Sequence, residues 1–150
     1  MLPPLPQNAI TIGAQADDWR GAVRLAGDAL ARSGAATPAF AEEMIRVIEE
    51  FGPYVVIAPG LALAHARPGP ETLADGLSVV TLATPVSFGH AHNDPVSVVL
   101  GLSATNSDGH IAGVAGLANV FNDAGAISRL AAATSADEVL AIMKQGERES

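Results

Sequence analysis

Four histidines, His65, His90, His92 and His110, carry most of the reactive nitrogen in this chain. His65 closes the stretch VVIAPGLALAHARP, in which the apolar runs Val55–Ala58 and Leu61–Ala64 flank a Pro59-Gly60 turn. A histidine just past a buried strand sits on the rim of a rigid sheet, facing solvent. Arg67 follows two residues later, before Pro68-Gly69-Pro70 ends the element. One strand thus brings an imidazole and a guanidinium to the same edge. His110 follows the apolar run Pro95–Ala104 across the short Thr105–Gly109 connection and falls in the first turn of a helix.

Such a set suits phosphoryl transfer. A neutral imidazole can attack phosphorus, and Arg67 can supply a fixed positive charge for the moving group. The helix dipole at His110 disfavours imidazolium, and the free amides there can hold a phosphoryl oxygen. In this scheme His65 accepts the phosphoryl group and His110 hydrogen-bonds it. The scheme requires the two strands to be neighbours, which spacing does not establish. The same spacing admits an ordinary strand-end histidine and an ordinary first-turn histidine. The other pair, in His90-Ala91-His92-Asn93-Asp94, offers two imidazoles and a carboxylate to a metal. It lies between Gly89 and Pro95, where a turn is the natural reading, so no metal site is expected. Neither a GxGxxG, a P-loop nor a GxSxG pattern occurs, which leaves nucleotide binding and serine hydrolysis without a signal.

The elements that must hold these residues can be read from the pattern. Met1–Ala14 is an arm or short strand. Asp17 or Asp18 caps a first helix whose apolar positions run from Trp19 to Leu30, with Gly34 as its stop. Thr37-Pro38 opens a second helix with Phe40, Met44, Val47, Ile48 and Phe51 on its buried stripe. Leu77–Ala83 reads as an interior strand, interrupted by Thr84-Pro85, and Pro95–Ala104 as a strand buried on both faces. Ser107 or Asp108 caps the helix of His110, with Ile111, Val114, Ala115, Ala118 and Phe121 facing the core. A short helix spans about Ala126–Ala132. The capping box at Ser135–Glu138 starts a last helix through Met143, and the polar tail QGERES frays. The expected architecture is α/β: one domain over residues 1–150, with a mixed β-sheet sandwiched by α-helices.

Composition narrows the function further. The chain of 150 residues has a formal charge of −8 and no cysteine. That charge disfavours nucleic acid as a partner, since nothing could neutralise a phosphate backbone. Without cysteine, thiol catalysis and disulfides are ruled out. No apolar run is long enough to span a membrane and the N-terminus does not read as a signal peptide, so a cytoplasmic location is expected.

The stretch from Phe51 to Ile111 resembles the EIIA domains of the bacterial phosphoenolpyruvate-dependent sugar phosphotransferase system (PTS). The shared pieces are FGPY, IAPG, the A-x-H-x-RP run, PVSFGH, NDPV and the Asp108-Gly109-His110 helix start. The likeness is to the mannitol/fructose type (type 2), and within it to ascorbate-class members. It implies a phosphocarrier whose active histidine, His65, takes a phosphoryl group from the carrier HPr and passes it to a cognate EIIB, and through it to EIIC. His110 maps to the second active-site histidine. No cofactor is implied, and assembly as a homodimer is left open. Two positions depart from the family: Ala64 stands where a proline usually precedes the histidine, and Glu49 where mannitol-type members carry an arginine. Arg46 or Arg67 can take that role, and proximity along the chain favours Arg67. The implied function is uptake of ascorbate or a related carbohydrate. The alternative is a regulatory domain, like the nitrogen-type EIIA proteins, that binds targets according to its phosphorylation state.

Overall fold

The computed structural model describes residues 2–123 and 125–148. Five strands form one mixed sheet in the order β1-β4-β5-β3-β2. The strands are β1 (Ile10–Ala14), β2 (Val56–Ala58), β3 (Leu61–His65), β4 (Gly76–Val86) and β5 (Val96–Ser103). β1 runs parallel to β4 and β3 parallel to β5, whereas β4–β5 and β2–β3 are antiparallel. The helices are α1 (Trp19–Arg32), α2 (Phe40–Phe51), α3 (Ser107–Val120), α4 (Gly125–Ala132) and α5 (Ala136–Arg148).

Strand alternation assigns each side chain to one of two cores. Ala62, Ala64, Val80 and Val99 face α1 and α2. Leu61, Leu63, Leu77, Val79, Val98, Leu100 and Leu102 face α3, α4 and α5. The sheet is thus covered on both faces, as the apolar runs imply, and each fully buried Leu or Val contributes about 1.5–3 kcal/mol. The α1 face is built from small residues. Gly101 leaves room for Ser78, whose hydroxyl donates to the Ala26 carbonyl of α1 at 2.8 Å. Gly27 of α1 abuts Ala41 of α2, and a methyl group there would stand 2.5 Å from the Ala41 Cβ.

Several boundaries differ from the sequence pattern, each for a local reason. α1 is capped by Asp18, whose carboxylate accepts the Gly21 amide. α2 begins at Phe40 rather than at Thr37-Pro38, because the Thr37 amide is drawn to the Glu71 carbonyl and holds that segment in a turn. Phe51 is exposed, not part of the stripe, and Ile45 takes a buried place instead. β4 continues through Thr84-Pro85, with the irregularity absorbed by a register shift between Thr81 and Val86. α3 is capped by Asn106, not by Ser107 or Asp108, and its buried face is Gly113, Gly116, Leu117 and Val120. Ile111, Val114, Ala115 and Ala118 are exposed, and Phe121 packs only partly against the core. α5 runs on to Arg148, because Gly146 lets its backbone close on Val120. The last two residues, Glu149 and Ser150, lie outside the described residues.

Candidate active site

β3 and β5 are parallel neighbours, with His65 in register with Leu102. Their carboxyl ends open on one rim, the position at which open α/β sheets hold ligands. From Ser103 the chain crosses Ala104, Thr105 and Asn106 and enters α3. Asn106 Oδ1 accepts the Gly109 amide at 2.7 Å, and the Asn106 carbonyl accepts the His110 amide at 3.1 Å. This cap sets His110 in the first turn of α3. The His65 and His110 rings meet with centroids 5.2 Å apart and planes inclined by 50°. The adjacency that spacing leaves open is therefore present.

His65 is half-buried, and its Nδ1 lies 3.1 Å from the Leu63 carbonyl oxygen. A carbonyl can only accept, so Nδ1 carries the proton and Nε2 keeps the lone pair. Nε2 is then the nucleophilic atom. Burial, followed by the charge of His65, holds the His110 pKa below the ordinary histidine value. A neutral His110 is thus favoured beside its neighbour. Arg67 is exposed and forms no hydrogen bond or ion pair among the described residues.

The other arginine considered for this rim is engaged elsewhere. Arg46 contacts Glu43 at 2.7 Å and Glu50 at 3.8 Å on the outer face of α2. Glu49 pairs with Arg20 at 3.0 Å and lends the histidines no positive charge. His90 and His92 lie at the opposite rim, where the Asn93 carbonyl accepts the Gly60 amide at the start of β3. Asp94 accepts from the Ser87 hydroxyl and from the Phe88, Gly89 and His90 amides. Its carboxylate closes a loop.

Residues 4–146 match the family model for the phosphoenolpyruvate-dependent sugar phosphotransferase system, EIIA 2. The chain belongs to this EIIA family. An ascorbate-specific PTS system EIIA component of Salmonella choleraesuis is 37% identical over 134 residues, covering 89% of this chain and 87% of the relative. The crystal structure of IIA mannitol from Escherichia coli superposes with a TM-score of 0.82 at 28% identity, covering 93% of this chain and 99% of the other. A chain in the Escherichia coli complex of enzyme IIAMTL with phosphorylated enzyme IIBMTL gives 0.83 at 27% identity, covering 95% and 98%.

Three features of this EIIA chain escape the sequence pattern. The Leu63 carbonyl that sets the His65 tautomer is a backbone atom, so no residue type announces it. Asn106 carries a readable signal, an amide side chain three positions before a glycine at a helix start. The third is a set of exposed apolar side chains. Ile111 and Val114 project from α3. Phe51 and Tyr54 are exposed in the stretch before β2, where the Val55 carbonyl accepts the Leu63 amide. Periodicity assigns three of these four, Phe51, Ile111 and Val114, to the core.

No helix among the described residues is long and apolar enough to cross a membrane.

Proposed function

We propose that this EIIA chain carries a phosphoryl group as a covalent phosphohistidine on His65 Nε2, receiving it from phospho-HPr and delivering it to a cognate EIIB. The single observation that carries this reading is the pairing of the His65 and His110 rings, with the His65 lone pair left on Nε2. In the first step the Nε2 lone pair forms a bond to phosphorus. The P–N bond to the donor's histidine breaks, and its electron pair returns to the donor imidazole. The Nδ1–H stays on the Leu63 carbonyl throughout, which stabilises the cationic phosphoimidazole while keeping it a good leaving group. His110 donates a hydrogen bond to a phosphoryl oxygen, and the unpaired Arg67 guanidinium reaches the same group. Delivery is the reverse process onto a nucleophile of EIIB.

The exposed Ile111 and Val114, on the helix that carries His110, support a protein, rather than a small molecule, as the partner at this rim. Both histidines belong to one chain, so the chemistry is served equally by a monomer or a homodimer. The reading takes residues 1–150 as a single domain working in the cytoplasm and needs no cofactor. Likeness to ascorbate-specific relatives supports uptake of ascorbate or a related carbohydrate over the regulatory alternative.

The test is to incubate the protein with phosphoenolpyruvate, enzyme I and HPr and to follow its mass. The expected result is an acid-labile gain of one phosphoryl group, abolished in His65→Ala and slowed about a hundredfold in His110→Ala. Absence of the gain with an active HPr, or its persistence in His65→Ala, would contradict the proposal.

A further inference from the structure

Between His65 and β4 the chain makes a ten-residue excursion that carries Arg67, residues 66–75. Its far end is fastened to the connection that leads into α3. The Ser103 hydroxyl donates to the Ala74 carbonyl at 2.9 Å. Asp75 Oδ1 accepts both the Thr105 amide, at 2.9 Å, and the Thr105 hydroxyl, at 3.2 Å. Thr105 immediately precedes Asn106, the cap on which the His110 amide is bonded. An independent feature points to the same carboxylate. A methyl group at Gly109 would stand 3.2 and 3.3 Å from the two Asp75 oxygens, closer than ordinary contact. The bare backbone at the residue before His110 thus lets the Asp75 carboxylate approach the first turn of α3.

We propose that Asp75 is a positioning residue for the transfer: by holding Thr105 against the end of the Arg67 loop, it fixes where α3 begins and so where His110 stands relative to His65. The inference rests on the His65 reading above. Asp75 never contacts the phosphoryl group in this account. It acts as a hydrogen-bond acceptor for the Thr105 amide, not as a charge on His110, whose lowered pKa derives from burial and His65. Neutral acceptors in the same place are therefore expected to substitute. Reaction rates are sensitive to such placement, since a shift of about 1 Å can cost about a hundredfold.

The experiment compares wild type, Asp75→Ala and Asp75→Asn in the complete relay and by NMR. In Asp75→Ala the rate at saturating phospho-HPr is expected to fall about tenfold, with KM changing by less than about twofold. The Thr105 amide is expected to exchange faster and the His110 ring resonances to shift. Asp75→Asn, whose Oδ1 can still accept the Thr105 amide, should recover to within about threefold of wild type. Asp75→Ala with wild-type rate and unshifted His110 resonances would overturn the proposal. So would an Asn variant as slow as the Ala variant. Failure of the wild-type chain to accept any phosphoryl group would instead overturn the His65 reading, and the Thr105 exchange and His110 resonances would still decide whether Asp75 positions the helix.

Discussion

The hydrogen bond from His65 Nδ1 to the Leu63 carbonyl does the work that residue identity alone cannot, because it leaves only Nε2 able to attack. Beside it, His110 titrates below an ordinary histidine through burial first and the His65 charge second. Replacing His65 with glutamine removes that repulsion, so the His110 pKa is expected to rise in an NMR titration without recovering fully. In the window between the ordinary value and the lowered one, the unfolded chain binds more protons at this site than the folded chain. Stability from this site is intact above the ordinary histidine pKa and declines as the pH falls through the window. Arg67, unpaired among the described residues, is the residue-scale test of anion binding. Arg67→Ala is expected to slow transfer by about tenfold, with Arg67→Lys restoring only part, since a lysine cannot reproduce the guanidinium fork. The residues proposed to react are visible in the chain because imidazole and guanidinium stand close to strand and helix ends. The tautomer was not, because a backbone carbonyl carries no sequence signal.

Among the elements, the two rims of the sheet are built differently. The loop at residues 87–95 is closed by Asp94, far from the histidine pair. Burial opposes ionisation of its carboxylate, but hydrogen bonds from Phe88, Ser87, Gly89 and His90 outweigh it and hold the pKa below the usual range. Asp94→Ala is expected to destabilise the fold by roughly 2 kcal/mol in urea denaturation while leaving phosphoryl transfer unchanged. Gly27→Ala, by contrast, forces α1 and α2 apart and is expected to cost roughly 1–3 kcal/mol. Strand starts were legible because β-branched runs begin at Gly76 and just after Pro95, whereas the far end of β4 was not, since the strand runs through Pro85 to Val86. The face of α3 was not. Its residues are apolar or small nearly all round, so periodicity gives no direction. The helix buries Gly113 and Gly116, and at Gly113 the approach is close, with a methyl there lying only 3.0 Å from Leu102. That leaves Ile111 and Val114 outside, near the rim where a protein partner would dock.

For the molecule as a whole, the sheet order joins two distant stretches of chain into one site. β3 delivers His65 and β5 leads to His110, and their parallel register makes two residues 45 positions apart neighbours. Strand order is a property of the whole sheet, which is why the two histidines can be proposed from the chain but their meeting cannot. The net charge of −8 does not contribute to this geometry; its effect lies in the rate at which oppositely charged partners are met. In the proposed reading, this architecture presents one particular nitrogen, His65 Nε2, to a donor protein. The decisive measurement charges the intact protein through phosphoenolpyruvate, enzyme I and HPr and records long-range proton–nitrogen correlations of the histidine rings. Phosphorus coupling is expected at Nε2 of His65, with the Nδ1 proton of that ring retained. A phosphoryl group on Nδ1 of His65, or on His90, His92 or His110, would contradict it.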